Sequence, residues 1–172
     1  MSINMILAVS NDLAIGDTNS PDGLPWSKNK EDLAHFQKMT TGNVVVMGGN
    51  TFRQFQKMGM GFGLPNRTNV IVSGKYHLTD TDNNVYVQDL QETVDLMKDN
   101  WFTLLEDVFI IGGKSIYDQL HPYCDKVYLT RINQEFPDAD VKISLDFLCN
   151  FDIIKRIPLN GYSEVEVWQR KK

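Results

Sequence analysis

Short unbroken apolar runs alternate along this chain with stretches whose apolar residues recur at helical spacing. Residues 3–9 form the first run and read as a buried strand. Asn11-Asp12 and residues 16–23 are turn-rich, and residues 17–23 read as a flexible surface loop. A helix is expected from about Asn29 to Thr40. Val44-Val45-Val46-Met47 is a second, β-branched strand. Gly48-Gly49-Asn50-Thr51 then turns into a short helix through Phe52 and Phe55. Residues 57–66 read as a loop, 69–73 as a third strand and 85–87 as a short fourth. Leu90, Val94 and Met97 mark a helix. Val108-Phe109-Ile110-Ile111 is the best candidate for the sheet centre. Gly112-Gly113 follows, then a helix from Lys114 to about Leu120 and a strand over 126–132. Residues 164–168 alternate as an antiparallel edge would. Strands separated by helices predict an α/β sheet, mostly parallel with an antiparallel end. No repeat, low-complexity segment or linker interrupts it, so residues 1–172 read as one domain.

The densest pattern lies between Gly23 and Phe36. Gly23, Leu24, Pro25 and Trp26 lead into the helix, Asn29 is a plausible N-cap, and Glu31 and Asp32 fall in the first turn. Leu33, Phe36 and Met39 form the apolar stripe. Asp32 precedes Phe36 by one turn and shares its side. A carboxylate on a core-facing stripe needs a reason, because an unpaired buried charge is costly. It is either an acid favoured by the helix N-terminus or a site residue. Glu31 is the more natural solvent-facing partner of the helix end.

With 42% hydrophobic residues the chain can bury one real core. A formal net charge of −5, with only short basic clusters at Lys28/Lys30 and residues 170–172, argues against a nucleic-acid partner. Cys124 and Cys149 read as reduced thiols. The N-terminal apolar run has no basic leader and is too short to span a membrane, so a cytoplasmic location is expected.

Two strand-to-helix turns carry paired glycines, Gly48-Gly49 and Gly112-Gly113. Backbone N–H groups at such turns can meet an anion, and two of them suggest one long phosphate-bearing ligand across the sheet; tight packing explains a Gly-Gly pair equally well. Gly59, Gly61 and Gly63 mimic a dinucleotide fingerprint, but Leu64 occupies the place of the final glycine and no strand precedes them. His35, His77 and His121 show no metal-ligand spacing with each other or with the cysteines, so no metal is expected. His35 should be half exposed and Cys124 small and buried.

Ala8, Ile15-Gly16, Leu24-Pro25-Trp26, Asp32-Leu33 with Phe36, Met47-Gly48, Thr51-Phe52, Leu64-Pro65 with Arg67, Ile111-Gly112-Gly113, Tyr117 and Leu129-Thr130 together resemble the dihydrofolate reductase family. The match runs in order to about Ile132, and is looser beyond it, through Asp140 and the edge strands. The resemblance implies an α/β fold with an eight-stranded, mostly parallel sheet, an antiparallel C-terminal edge strand, helices on both faces, and an adenosine-binding lobe over roughly 43–106. It implies reduction of 7,8-dihydrofolate by NADPH.

The resemblance also implies roles. Asp32 would accept from the pterin in fork geometry, aided by Trp26, Leu24 and Thr130. Ile6, Ala8, Leu33, Phe36, Phe55, Leu64, Ile111 and Tyr117 would line the substrate site, and Arg67 would pair with the substrate's glutamate carboxylate. Cofactor contacts would come from Ala8, Ile15, Gly16, Gly48, Gly49, Asn50, Thr51, Ser73, Gly74, Lys75, Ile111, Gly112, Gly113, Lys114, Ser115, Ile116 and Tyr117. Gly112-Gly113 would be the family's cis peptide, and the loop from Gly16 to Leu24 would close over the nicotinamide.

Four departures stand out: a longer loop before Leu24, Asn66 in place of a usual glycine, and Gly49 and Ser115 where basic residues are frequent. The last two shift the burden of binding the 2′-phosphate to Lys75. Small-molecule partners and a monomer or homodimer are expected. The rivals are a pyrimidine reductase of riboflavin synthesis and a binding or structural protein that retains the site.

Overall fold

The computed structural model describes residues 1–74, 81, 83–99 and 106–172. They form two compact units: residues 1–3 with 40–120, and residues 4–39 with 121–172. The first encloses the stretch expected to bind adenosine.

The first unit holds β3 (Val44–Gly48), α2 (Gly49–Lys57), β4 (Thr68–Val72), β5 (Asn84–Val87), α3 (Leu90–Lys98), β6 (Val108–Gly112) and α4 (Lys114–Leu120). Its strands run parallel in the order β5-β4-β3-β6. Val44, Val45, Val46 and Met47 are all wholly buried, as an apolar strand covered on both faces must be. Asp89 caps α3 by accepting from the Glu92 amide at 2.9 Å, while Glu92 accepts from the Gln88 amide at 3.0 Å. The β3–β6 register slips between Val46 and Met47: Val46 faces Ile110, but Met47 faces Gly112. Ile111 is thus the extra residue of a bulge immediately before the Gly-Gly turn.

The second unit holds β1 (Ile3–Ser10), β2 (Ala14–Gly16), α1 (Lys30–Thr40), β7 (Lys126–Ile132), β8 (Val141–Lys142), β9 (Phe151–Asn160) and β10 (Ser163–Arg170). β1 and β7 are parallel, with Ala8 opposite Thr130; β10 runs antiparallel to β7, and β9 to β10. A small antiparallel pair joins β2 to β8.

Eight long strands, four per unit, are mostly parallel and end in antiparallel C-terminal strands, as the resemblance implies. β10 runs against β7, and β9 pairs antiparallel with β10 at the sheet edge. β9 is ten residues long and was not expected from the sequence.

Candidate functional site

In the second unit the site is built from the start of α1. Asn29 is its N-cap: its side-chain oxygen accepts from the Asp32 amide at 3.2 Å. The cap is itself buried and held. Its Nδ2 donates to Ser163 Oγ at 3.1 Å, and Asn160 Nδ2 donates to its Oδ1 at 2.9 Å. The β9–β10 hairpin therefore fixes where α1 begins and where its first turn points.

On that turn, Asp32 accepts a 2.7 Å hydrogen bond from Thr130 Oγ1. Thr130 is buried on β7. Burial raises the Asp32 pKa above its ordinary value; the Thr130 hydroxyl and the charge of His35 pull the other way. His35 lies one turn further on, its ring tilted against Tyr128 at 6.4 Å. It is half-buried, as expected, and burial holds its pKa down.

The stripe beside Asp32 needs correction. Leu33 is 43% exposed, and Phe36 and Met39 are only half-buried. Among α1 residues only Thr40 is fully buried. The stripe is an open apolar surface rather than core. Trp26, by contrast, is buried and meets Phe136 edge-on at 6.1 Å. Ile6 is buried, while Ala8 and Ile15 are half-buried.

The loop read as flexible is fastened. The Asp17 amide donates to Gly23 O at 2.9 Å, and the Leu24 amide to Asp22 Oδ1 at 3.0 Å. Thr18 donates twice to Asp140, from its amide at 2.9 Å and from its hydroxyl. Gly16 sits under this loop; a Cβ there would stand 3.3 Å from Gly23 O and from Val141.

In the first unit the two glycine turns meet. The Gly112–Gly113 peptide is cis, and Gly112 takes φ +115°. A Cβ on Gly112 would lie 3.1 Å from Tyr117 Oη, and one on Gly48 would lie 3.1 Å from Ile116. A Cβ on Gly113 would stand 3.6 Å from Thr51 Oγ1. The Tyr117 amide donates to Gly113 O at 2.9 Å. Gly48, Thr51, Gly112, Gly113, Ile116 and Tyr117 are thus one cluster, and bulged Ile111 leads into it.

Gly49 and Asn50 open α2. Lys114 is paired with Asp118 at 2.9 Å, and Ser115 Oγ accepts from Gln119 at 2.7 Å. The Ser73 amide donates to Val87 O at 2.9 Å, so Ser73 continues the β4–β5 pairing, with Gly74 next. Lys75 lies outside the described residues. One cation escaped the sequence reading: Arg53 donates to Asn50 Oδ1 and has no acidic partner among the described residues. Helical spacing could have shown it, since Asn50 and Arg53 are three apart.

Leu64 and Arg67 form the third cluster. Asn69 pins Leu64 by accepting from its amide at 2.9 Å and donating to its carbonyl at 3.1 Å. Arg67 is 8% exposed; its Nε donates to Thr40 Oγ1 at 3.1 Å and its Nη1 to Pro65 O at 2.8 Å. No carboxylate pairs with it among the described residues. Asn66 takes φ 58°, so the chain keeps the left-handed turn with the residue type that, after glycine, best tolerates it. Phe55 is half-buried in the last turn of α2, and its carbonyl accepts from the Met60 amide at 2.9 Å.

Both cysteines are free; Cys124 is buried, and burial pushes its thiol up to about 12. Among the described residues no group of three His, Cys, Asp or Glu could hold a metal ion, and no helix is long and apolar enough to cross a membrane.

These features define an α/β protein with a half-buried, hydroxyl-held carboxylate, a glycine-lined strand-to-helix cradle and a buried arginine without an acidic partner among the described residues. The dihydrofolate reductase family model matches residues 2–159, and the chain belongs to that family. It is 36% identical over 161 residues to a dihydrofolate reductase type 9 of Escherichia coli, covering 91% of this chain and 84% of the relative. Identity to a dihydrofolate reductase of Bacillus subtilis is 34% over 134 residues, covering 78% and 71%. A dihydrofolate reductase structure from Enterococcus faecalis, complexed with NADP(H) and RAB-propyl, superposes with TM-score 0.78 at 24% identity. The match covers 99% of this chain and 97% of that one.

Proposed function

We propose that this chain reduces 7,8-dihydrofolate to 5,6,7,8-tetrahydrofolate with NADPH, Asp32 being its central catalytic group. The observation that carries the catalytic assignment is the 2.7 Å bond from Thr130 to Asp32. It holds one carboxylate oxygen on a fixed bearing and leaves the other to accept from a ligand. A pterin offers adjacent N–H donors that one carboxylate receives in a fork.

The residues fit a phosphate-bearing dinucleotide. Glycines at 48, 112 and 113 keep side chains out of the paired turns, Thr51 adds a hydroxyl, and Arg53 adds a cation without an acidic partner among the described residues. Gly48 to Thr51, Ser73, Gly74 and the turn from Ile111 to Tyr117 would hold the cofactor, with Ala8, Ile15 and Gly16 at its nicotinamide. When bound, NADPH supplies the hydride that adds at pterin C6. Asp32 orients the pterin and favours the protonated substrate electrostatically; N5 takes its proton from water beside Leu24. Trp26 orders that water near Asp32. Ile6, Leu33, Phe36, Phe55, Leu64, Ile111 and Tyr117 supply apolar contacts to the substrate. Arg67 receives the glutamate carboxylate, which accounts for a buried guanidinium with no acidic partner among the described residues. We place the protein in the cytoplasm as a monomer or homodimer, with small-molecule partners.

The test follows NADPH oxidation with dihydrofolate and, separately, with the pyrimidine of riboflavin synthesis. Turnover of dihydrofolate is expected; turnover of the pyrimidine alone would overturn the reading. A chain that binds dihydrofolate but turns over neither would be a binding protein.

A further inference from the structure

The loop between α2 and Leu64 is anchored at both ends and carries an aromatic ring into solvent. Met58 and Gly59 close α2 through 3.1 Å bonds to Gln54 and Gln56 carbonyls. At the other end, Gly63 is buried at φ +83°, with Asn69 standing where a Cβ would be, 2.8 Å away. Asn69 then clamps Leu64 through both its backbone groups. Between the anchors, the Gly63 amide donates to Met60 O at 3.1 Å, making a tight turn with Gly61 and Phe62 at its corners. Phe62 is 90% exposed and Met58 is 47% exposed. A Cβ on Gly59 or Gly61 would meet nothing within 4 Å, so no other part of the structure crowds the tip at either position.

A fully solvated phenyl ring forgoes its burial energy, and here it is presented between two glycines. Five residues further along the chain comes Arg67, buried and without an acidic partner among the described residues. Apolar Leu64 lies between them. The complementary ligand is an aromatic ring joined to a carboxylate, and the aminobenzoyl-glutamate part of dihydrofolate has that composition. We infer that Phe62 is a specificity-determining residue, an aromatic flap that folds onto the aminobenzoyl ring once the glutamate carboxylate engages Arg67. Met58 and Met60 supply adaptable contacts behind it. This inference rests on the dihydrofolate reading above.

The test compares Phe62→Ser and Phe62→Trp with the parent on two substrates: dihydrofolate, and 6-methyl-7,8-dihydropterin, which lacks the aminobenzoyl-glutamate. Phe62→Ser should raise KM for dihydrofolate about three- to tenfold, the scale of one aromatic pair. Its kcat and its KM for the methyl compound should stay at parental values, and Phe62→Trp should restore dihydrofolate KM. The dissociation constant of dihydrofolate from the apoprotein, read by tryptophan quenching, should shift by the same factor. Unchanged dihydrofolate binding in Phe62→Ser overturns the proposal while leaving the reductase reading intact. Equal losses on both substrates also overturn it, as does a parent dimer that Phe62→Ser dissociates without altering KM, since the ring would then belong to a second copy. A parent that fails to reduce dihydrofolate overturns both readings together.

Discussion

Thr130 Oγ1 donates to Asp32 Oδ1 at 2.7 Å across 98 residues of chain. The bond ties the first turn of a helix to the middle of a strand and opposes the effect of burial on the carboxylate. Thr130→Val keeps the shape and removes the donor. Asp32 should then titrate higher still, so the acid limb of the kcat/KM profile should move to higher pH. The rate at neutral pH should fall about tenfold, the scale of an unmet buried carboxylate. Thr130→Ser should keep the parental limb; a valine variant with the parental pH profile would show that the hydroxyl does not tune Asp32.

Asp140 holds Thr18 through two hydrogen bonds, and these keep its carboxyl below the ordinary range. A depressed folded-state pKa means the tie is in force above the unfolded value and is lost as pH falls through the folded one. Asp140→Ala should make residues 17–23 the preferred site of limited proteolysis at pH 7 and lower kcat/KM several-fold. The parent should gain the same protease sensitivity only in acid. Identical cleavage of both proteins at pH 7 would rule out this fastening.

Arg67→Leu should weaken dihydrofolate binding by about 1.5–3 kcal/mol, the worth of a charged hydrogen bond. A pterin without the glutamate should bind as before. Equal losses for the two compounds, measured by equilibrium titration, would mean that Arg67 acts through its bonds to Thr40 and Pro65 instead.

Selection of NADPH over NADH should be modest and salt-sensitive, because Gly49 and Ser115 bring no charge and Lys114 is engaged by Asp118. Arg53→Ala should narrow the ratio of the two dissociation constants. Gly49→Arg should widen it, since Gly49 opens α2 and is not among the positive-φ glycines. Titrations at low and moderate salt decide the matter; an unchanged ratio in Arg53→Ala removes that residue from the phosphate site. Lys75→Ala tests the sequence-based candidate in the same way.

The central strands were legible because burial on both faces imposes unbroken apolar runs, as in residues 44–47 and 108–111. β9 was not, because an outer strand carrying Lys155, Arg156 and Pro158 has no apolar run and little alternation. The N-cap at Asn29 could be read locally. Its burial could not, since Asn160 and Ser163 lie more than 130 residues away. Asp32 was ambiguous by pattern, between helix-end acid and site residue. Only its partner on β7 separates the two, and that pairing depends on tertiary register. The open stripe at Leu33 follows the same logic: helical spacing shows that residues share a face but not what covers it.

Asp32→Asn tests the account most directly. Burial raises the folded-state pKa of Asp32 above its unfolded value. Its ionisation therefore costs stability, a cost absent below the unfolded pKa and fully present above the folded one. The amide should accordingly leave Tm at pH 7 unchanged or higher, so that lost activity cannot be ascribed to unfolding. It cannot accept from both pterin donors, and it removes the charge that favours protonation at N5. The decisive measurement is kcat/KM for dihydrofolate against pH in parent and variant. The parent should lose rate as pH falls through the raised pKa of Asp32, where the protonated carboxyl no longer accepts from both pterin donors. The folded variant should lose at least about a hundredfold at neutral pH, the reach of a positioned acid–base group. A folded Asp32→Asn protein with near-parental rates at neutral pH would contradict the assignment of Asp32 and the mechanism built on it.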